Sequence, residues 1–93
     1  MSTKSIGESI QSLFKQLGHE DKIKQYQVIQ KWDIIVGAEI SQVAKPERIH
    51  EKSLIVKVAS MSWRTELQMQ KRQILQKIKE KIGDNVIVDI RFY

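Results

Sequence analysis

The apolar residues of this 93-residue chain change period three times, and each change falls beside a residue that stops or starts secondary structure. Up to Ala44 they recur at helical spacing; over residues 47–59 they alternate; over 61–82 they return to helical spacing; over 86–93 they alternate again. Pro46, the Ser60/Ser62 pair and Gly83 stand at the switches. A pattern of period 3.6 does not bury one face of a strand, and a pattern of period 2 does not bury one face of a helix. The chain is thereby held to an α+β layout, with strands gathered in one sheet and helices packed on it.

Within the first helical stretch, Ser5 and Glu8 form a capping box. Ile6, Ile10, Leu13, Phe14 and Leu17 make one stripe, and Gly18 supplies a left-handed stop. This predicts a helix over about residues 6–17. A second helix starts near Glu20-Asp21, whose charges suit a positive helix N-terminus. Val28, Ile29, Trp32, Ile35 and Val36 form its apolar face, Gly37 interrupts it, and Ile40, Val43 and Ala44 resume it weakly. Pro46 holds Lys45 extended and marks the boundary. Glu47 to His50 is a weak strand and Leu54 to Ala59 a strong one, with Leu54, Val56 and Val58 on one face. Glu51-Lys52-Ser53 would join them as an antiparallel hairpin, without the Asn-Gly chemistry that fixes register.

The third helix is expected over residues 61–82, opened by a Ser60 or Ser62 cap, with Glu66 complementing its positive first turn. Trp63, Leu67, Ile74, Leu75, Ile78 and Ile82 share its apolar arc. Lys71 falls in the same arc, so its stem lies on apolar surface and its ammonium reaches water. After Gly83-Asp84-Asn85, Val86, Val88, Ile90 and Phe92 alternate with Ile87, Asp89, Arg91 and Tyr93 as a half-buried strand. The order is α-α-β-β-α-β, a three-stranded sheet with helices on one face, read as a single domain over residues 1–93 with no linker or tail.

Composition closes several classes of function. The longest apolar run, Ile34-Ile35-Val36, cannot span a bilayer, and no signal peptide is legible at the N-terminus. No cysteine is present, which removes disulfide and thiolate chemistry. His19 and His50 stand apart from each other and from any carboxylate pair, so no metal or cofactor is expected. There is no phosphate-binding glycine loop and no Gly-x-Ser-x-Gly elbow. Ser60, Ser62, Arg64 and Glu66 crowd together, but a serine at a strand-to-helix joint is the pattern of a cap rather than a nucleophile. No enzymatic activity is expected.

Charge is distributed more tellingly. The formal net charge is +5, and residues 61–82 carry six cations against Glu66 and Glu80. A basic stripe on one element is the footprint of a polyanion partner, or simply a solvated helix face. On the first reading Arg64, Arg72, Lys77 and Lys79 are the candidate phosphate contacts, with Lys71, Arg91 and Tyr93 as further nucleic-acid-binding candidates.

Trp32, Ile35-Val36-Gly37, Ile40, Pro46, Leu54 to Val58, Trp63, Glu66-Leu67, Ile74, Ile78, Gly83 and Ile90-Arg91-Phe92 occur in an order that resembles the DciA family, bacterial proteins associated with the replicative DNA helicase. The resemblance implies a KH-like domain and a cytoplasmic, non-enzymatic helicase operator that helps a ring helicase engage single-stranded or forked DNA. The competing expectation is an adaptor or small homodimer that uses Ile55, Ile87 and Tyr93 on the second sheet face and the C-terminal strand as an exposed edge. RNA binding is a third, supported only by the KH-like comparison.

Overall fold

The computed structural model of the chain describes residues 20–93. The first helix expected over residues 6–17, its Ser5 cap, its Gly18 stop and His19 lie outside the described residues.

The α+β order is as expected. Among the described residues, three helical pieces come first: α1 (Glu20–Gln30), α2 (Trp32–Val36) and α3 (Ala38–Val43). They are followed by β1 (Ala44–His50), β2 (Ser53–Val58), α4 (Met61–Met69), α5 (Lys71–Lys81) and β3 (Asp89–Phe92). The sheet order is β1-β2-β3, with β1 antiparallel and β3 parallel to β2. A parallel neighbour needs a crossover, and α4 and α5 supply it.

The apolar arc expected on the second helix holds. Val28, Trp32, Ile35 and Val36 are buried, while Ile29 and Ile40 pack partly against the same core. Gly37 divides α2 from α3 with φ +90°, a conformation that L side chains rarely adopt. The Trp32 indole N–H donates to the Ala44 carbonyl at 2.9 Å and ties α2 to the first residue of β1. Strand β1 therefore begins two residues before Pro46 rather than after it.

The hairpin turn is tighter than expected. Glu51 and Lys52 alone form it, at φ +49° and +68°, between the pair His50 and Ser53. Positive φ at both central positions marks the primed hairpin turn, here built without its favoured Asn-Gly. The register slips once, between Pro46 and Arg48, so Glu47 is a bulge. The slip changes the parity of β1: Ala44, Pro46 and Ile49 lie opposite core-facing Val58, Val56 and Leu54, whereas Lys45, Arg48 and His50 lie opposite Lys57, Ile55 and Ser53.

Two expectations need correction. The helix over residues 61–82 is broken at Gln70, whose backbone sits at φ −95°, ψ 3° and whose amide is shared by the Glu66 and Leu67 carbonyls. Neither glycine nor proline marks the break in sequence; it divides one apolar stripe between two short helices, with Leu67 buried on α4 and Ile74 and Ile78 on α5. The last strand is also shorter. Val86 and Ile87 are both buried and Val88 is exposed, so alternation fails before Asp89. The Val88 amide is drawn to the Lys52 carbonyl at 2.9 Å, which fixes this segment to the hairpin turn before ladder pairing begins.

The core is formed by Leu54, Val56, Ile90 and Phe92 of the sheet against Val28, Trp32, Leu67, Ile74 and Ile78 of the helices. Each fully buried aliphatic side chain here contributes about 1.5–3 kcal/mol by leaving water.

Candidate nucleic-acid interface

Ser60 caps α4: its Oγ accepts from the Trp63 amide at 3.2 Å. Between the two serines left open by the sequence, the cap is thus Ser60. Trp63 is half-buried against the core and Arg64 follows it, itself half-buried. Glu66 does not lie in the first turn; its carboxylate accepts from the Gln70 side chain at 2.8 Å and braces the helix break.

The cations of the crossover do not form one stripe. At 100° per residue, Lys77 points about 160° away from Lys79 and about 140° from Arg72. Arg72 and Lys79 share one exposed side of α5 and line a shallow groove with Leu75, Gln76, Ile87 and Val88. Lys79 lies 4.0 Å from the Asp84 carboxylate, an exposed and weak pair. Lys77 and Lys81, four residues apart and both exposed, share the other flank.

Lys71 is engaged elsewhere. Its ammonium donates to Asp89 Oδ1 at 3.1 Å, part-buried, rather than reaching free into water. Partial burial pushes the Asp89 carboxyl up, but the Lys71 hydrogen bond and charge, the Ile90 amide and the charge of Arg91 together hold it below its ordinary value. Lys71 therefore ties the start of α5 to the start of β3.

Arg91 and Tyr93 lie on the sheet face away from the core, as the alternation expected. Arg91 is opposite Ile55, which is opposite Arg48 on its other side. Arg48, Ile55, Arg91 and Tyr93 line one hollow. The Tyr93 hydroxyl donates to Glu47 Oε1, and this bond raises the phenol above its ordinary value. Ile55 and Ile87 are each only 7% exposed, so of the apolar trio expected to face a protein partner only Tyr93 is open, at 49%. Strand β3 does lie at the edge of the sheet.

Sequence reasoning missed Lys45, Arg48 and Lys57. Lys57 could have been found from the phase of β2 alone. Arg48 could not, because only the bulge turns it away from the core. Among the described residues no group of three histidines, cysteines or carboxylates could hold a metal, and no helix is long and apolar enough to cross a membrane.

These features define a small α+β protein whose mixed three-stranded sheet is backed by helices, with cations on the crossover helix and on the sheet face away from the core. The chain belongs to the DciA family, described as the Dna[CI] antecedent, whose sequence profile matches residues 5–92. It is 36% identical over 89 residues to a UPF0232 protein of Corynebacterium glutamicum (strain R), covering 96% of this chain and 50% of that one. It is 33% identical to a UPF0232 protein of Rhodococcus jostii (strain RHA1), covering 92% of this chain and 46% of that one. A UPF0232 protein of Mycolicibacterium smegmatis is likewise 33% identical, covering 92% and 44% of the two chains. The chain thus spans about half the length of the curated relatives it matches.

Proposed function

We propose that the chain is a replication accessory protein of the helicase-loader type. It contacts the replicative DNA helicase in the cytoplasm and holds single-stranded or forked DNA, without catalysing a reaction itself. Membership in the DciA family supports the replication role. The DNA contact rests on one observation: Arg72 and Lys79 stand together on the exposed side of α5, over a shallow groove lined by Leu75, Ile87 and Val88 together with Gln76, Asp84 and Asn85. Two cations at such a groove can neutralise neighbouring phosphates, and Leu75 and Val88 offer apolar surface to the bases between them. Arg64, on α4, is a further candidate phosphate contact. Lys71, held by Asp89, takes a structural part, and Lys77 with Lys81 offers a second pair of cations on the opposite flank of α5. The KH-like character implied by the family resemblance belongs to this reading.

The test is fluorescence anisotropy of the full chain with labelled single-stranded and forked DNA across a salt series. Log affinity should fall with log salt by about 0.7 per neutralised phosphate. The charge reversals Arg72→Glu and Lys79→Glu should weaken binding and flatten that slope. Binding that ignores salt, or is unchanged in the reversed variant, removes the DNA contact. Capture of the purified replicative helicase on the immobilised chain, repeated after nuclease, tests the other half; capture that vanishes with nuclease would show only a DNA tether.

A further inference from the structure

The sheet face away from the core carries charges that neither the fold nor the α5 groove uses. Lys45 and Lys57 are directly opposite each other, and two residues along β2 come Arg48, Ile55 and Arg91 in a row. All four cations are exposed. Neighbouring strands are spaced by about 4.8 Å, which sets the α-carbons of Arg48 and Arg91 about 10 Å apart. Ile55 between them is 7% exposed, lies outside the main core cluster and lines one hollow with Arg48, Arg91 and Tyr93. The carboxylates at this surface are engaged: the Tyr93 hydroxyl donates to Glu47, and Asp89, two residues from Arg91 on β3, is held by Lys71. The Tyr93–Glu47 bond positions a half-exposed aromatic ring at the end of the arginine row.

We propose that this face is a second binding surface for single-stranded nucleic acid, with phosphates at Arg48 and Arg91, further backbone contacts at Lys45 and Lys57, and a base stacked on Tyr93. The proposal rests on the DNA-binding reading above but uses a different surface. The charge arrangement fits a polyanion: the lysine pair and the arginine row are about 7 Å apart along the strands, a separation comparable to that of successive phosphates in an extended strand. An acidic peptide fits less well, because peptide recognition draws on apolar pockets for anchoring side chains and Ile55 offers only 7% of its surface. A duplex fits less well too, because its bases are not free to meet the Tyr93 ring.

The experiment is anisotropy of the full chain with labelled oligothymidylate over a salt series, with polyglutamate as a second probe. Arg48→Gln with Arg91→Gln should weaken oligothymidylate binding and reduce the log–log salt slope by about 1.4, two phosphates' worth. Tyr93→Ala should weaken binding roughly tenfold with the slope unchanged, and Tyr93→Phe, which keeps the stacking ring but loses the Glu47 bond that positions it, should lose less than Tyr93→Ala. Lys45→Gln with Lys57→Gln, at exposed positions, should lower the slope even if the arginine pair proves necessary for folding. If the parent binds oligothymidylate and these sheet variants bind equally well with equal slopes, this inference falls and the α5 reading stands. If the parent binds no oligothymidylate at all, both fall. Preferential loss of polyglutamate binding in the sheet variants would assign the face to an acidic peptide and overturn the proposal.

Discussion

Lys71 and Asp89 meet at 3.1 Å between residues that sequence order sets 18 apart. The pair makes a lysine on an apolar arc into a clip between α5 and β3. The Asp89 carboxyl is held below its ordinary value, so its charged form favours the folded state. The stability it contributes is therefore present above the unfolded value of 3.8 and is lost as pH falls through the lower folded value. The side chains of Lys71 and Asp89 are 32% and 48% exposed, so solvent keeps the contribution below about 1 kcal/mol. Urea unfolding of the parent and of Asp89→Asn should differ by that small amount at neutral pH and converge in acid. A difference that persists unchanged at low pH would deny the ion pair this part.

At the scale of elements, the β1–β2 hairpin carries a built-in cost. Glu51 and Lys52 both occupy the left-handed region, which disfavours residues with a Cβ by roughly 1 kcal/mol or more each. Replacing Glu51-Lys52 by Asn-Gly should stabilise the chain by about 1 kcal/mol, read as a higher urea midpoint at unchanged slope. The substitution keeps the Lys52 carbonyl that accepts from the Val88 amide, because only side chains change. A lower midpoint would mean that these side chains make contacts outweighing the strain. The same hairpin shows what the sequence made legible. Alternation placed Leu54, Val56 and Val58 on one face, and the strand-to-helix switch placed a cap at Ser60 or Ser62, because both signals act over a few residues. The break at Gln70 and the phase change at Ile87 and Val88 were not legible, since tertiary packing and the Lys52–Val88 bond impose them from outside the segment.

Across the whole molecule, residues from α1 to β3 feed one apolar cluster that runs through Val28, Trp32, Leu67, Ile78 and Phe92. Trp32 sits inside it at 3% exposure and Trp63 at its margin. Tryptophan fluorescence and far-ultraviolet circular dichroism should therefore report coincident unfolding curves, as one cooperative unit requires. Separated curves would mean that the helices and the sheet unfold apart. At this scale the candidate surfaces were only half visible beforehand. Arg72 and Lys79 could be placed on one helix side from spacing alone. The Arg48–Ile55–Arg91 row needed the pairing of three strands, one of them reached through two helices, and no local pattern encodes that register.

The bulge at Glu47 has one more effect, on how copies of the chain meet. A straight strand at the rim of a sheet is a template on which a second molecule can lay its own backbone. Strand β1 forms one rim here, and it holds a proline, which lacks the amide needed to continue a ladder, directly before an irregular residue. Lys45 and Arg48 flank that point with like charges. Strand β3, on the other rim, is only four residues long. Both margins discourage fibre-like stacking, which lets a chain rich in β-branched residues at its centre work at high local concentration without seeding its own aggregation.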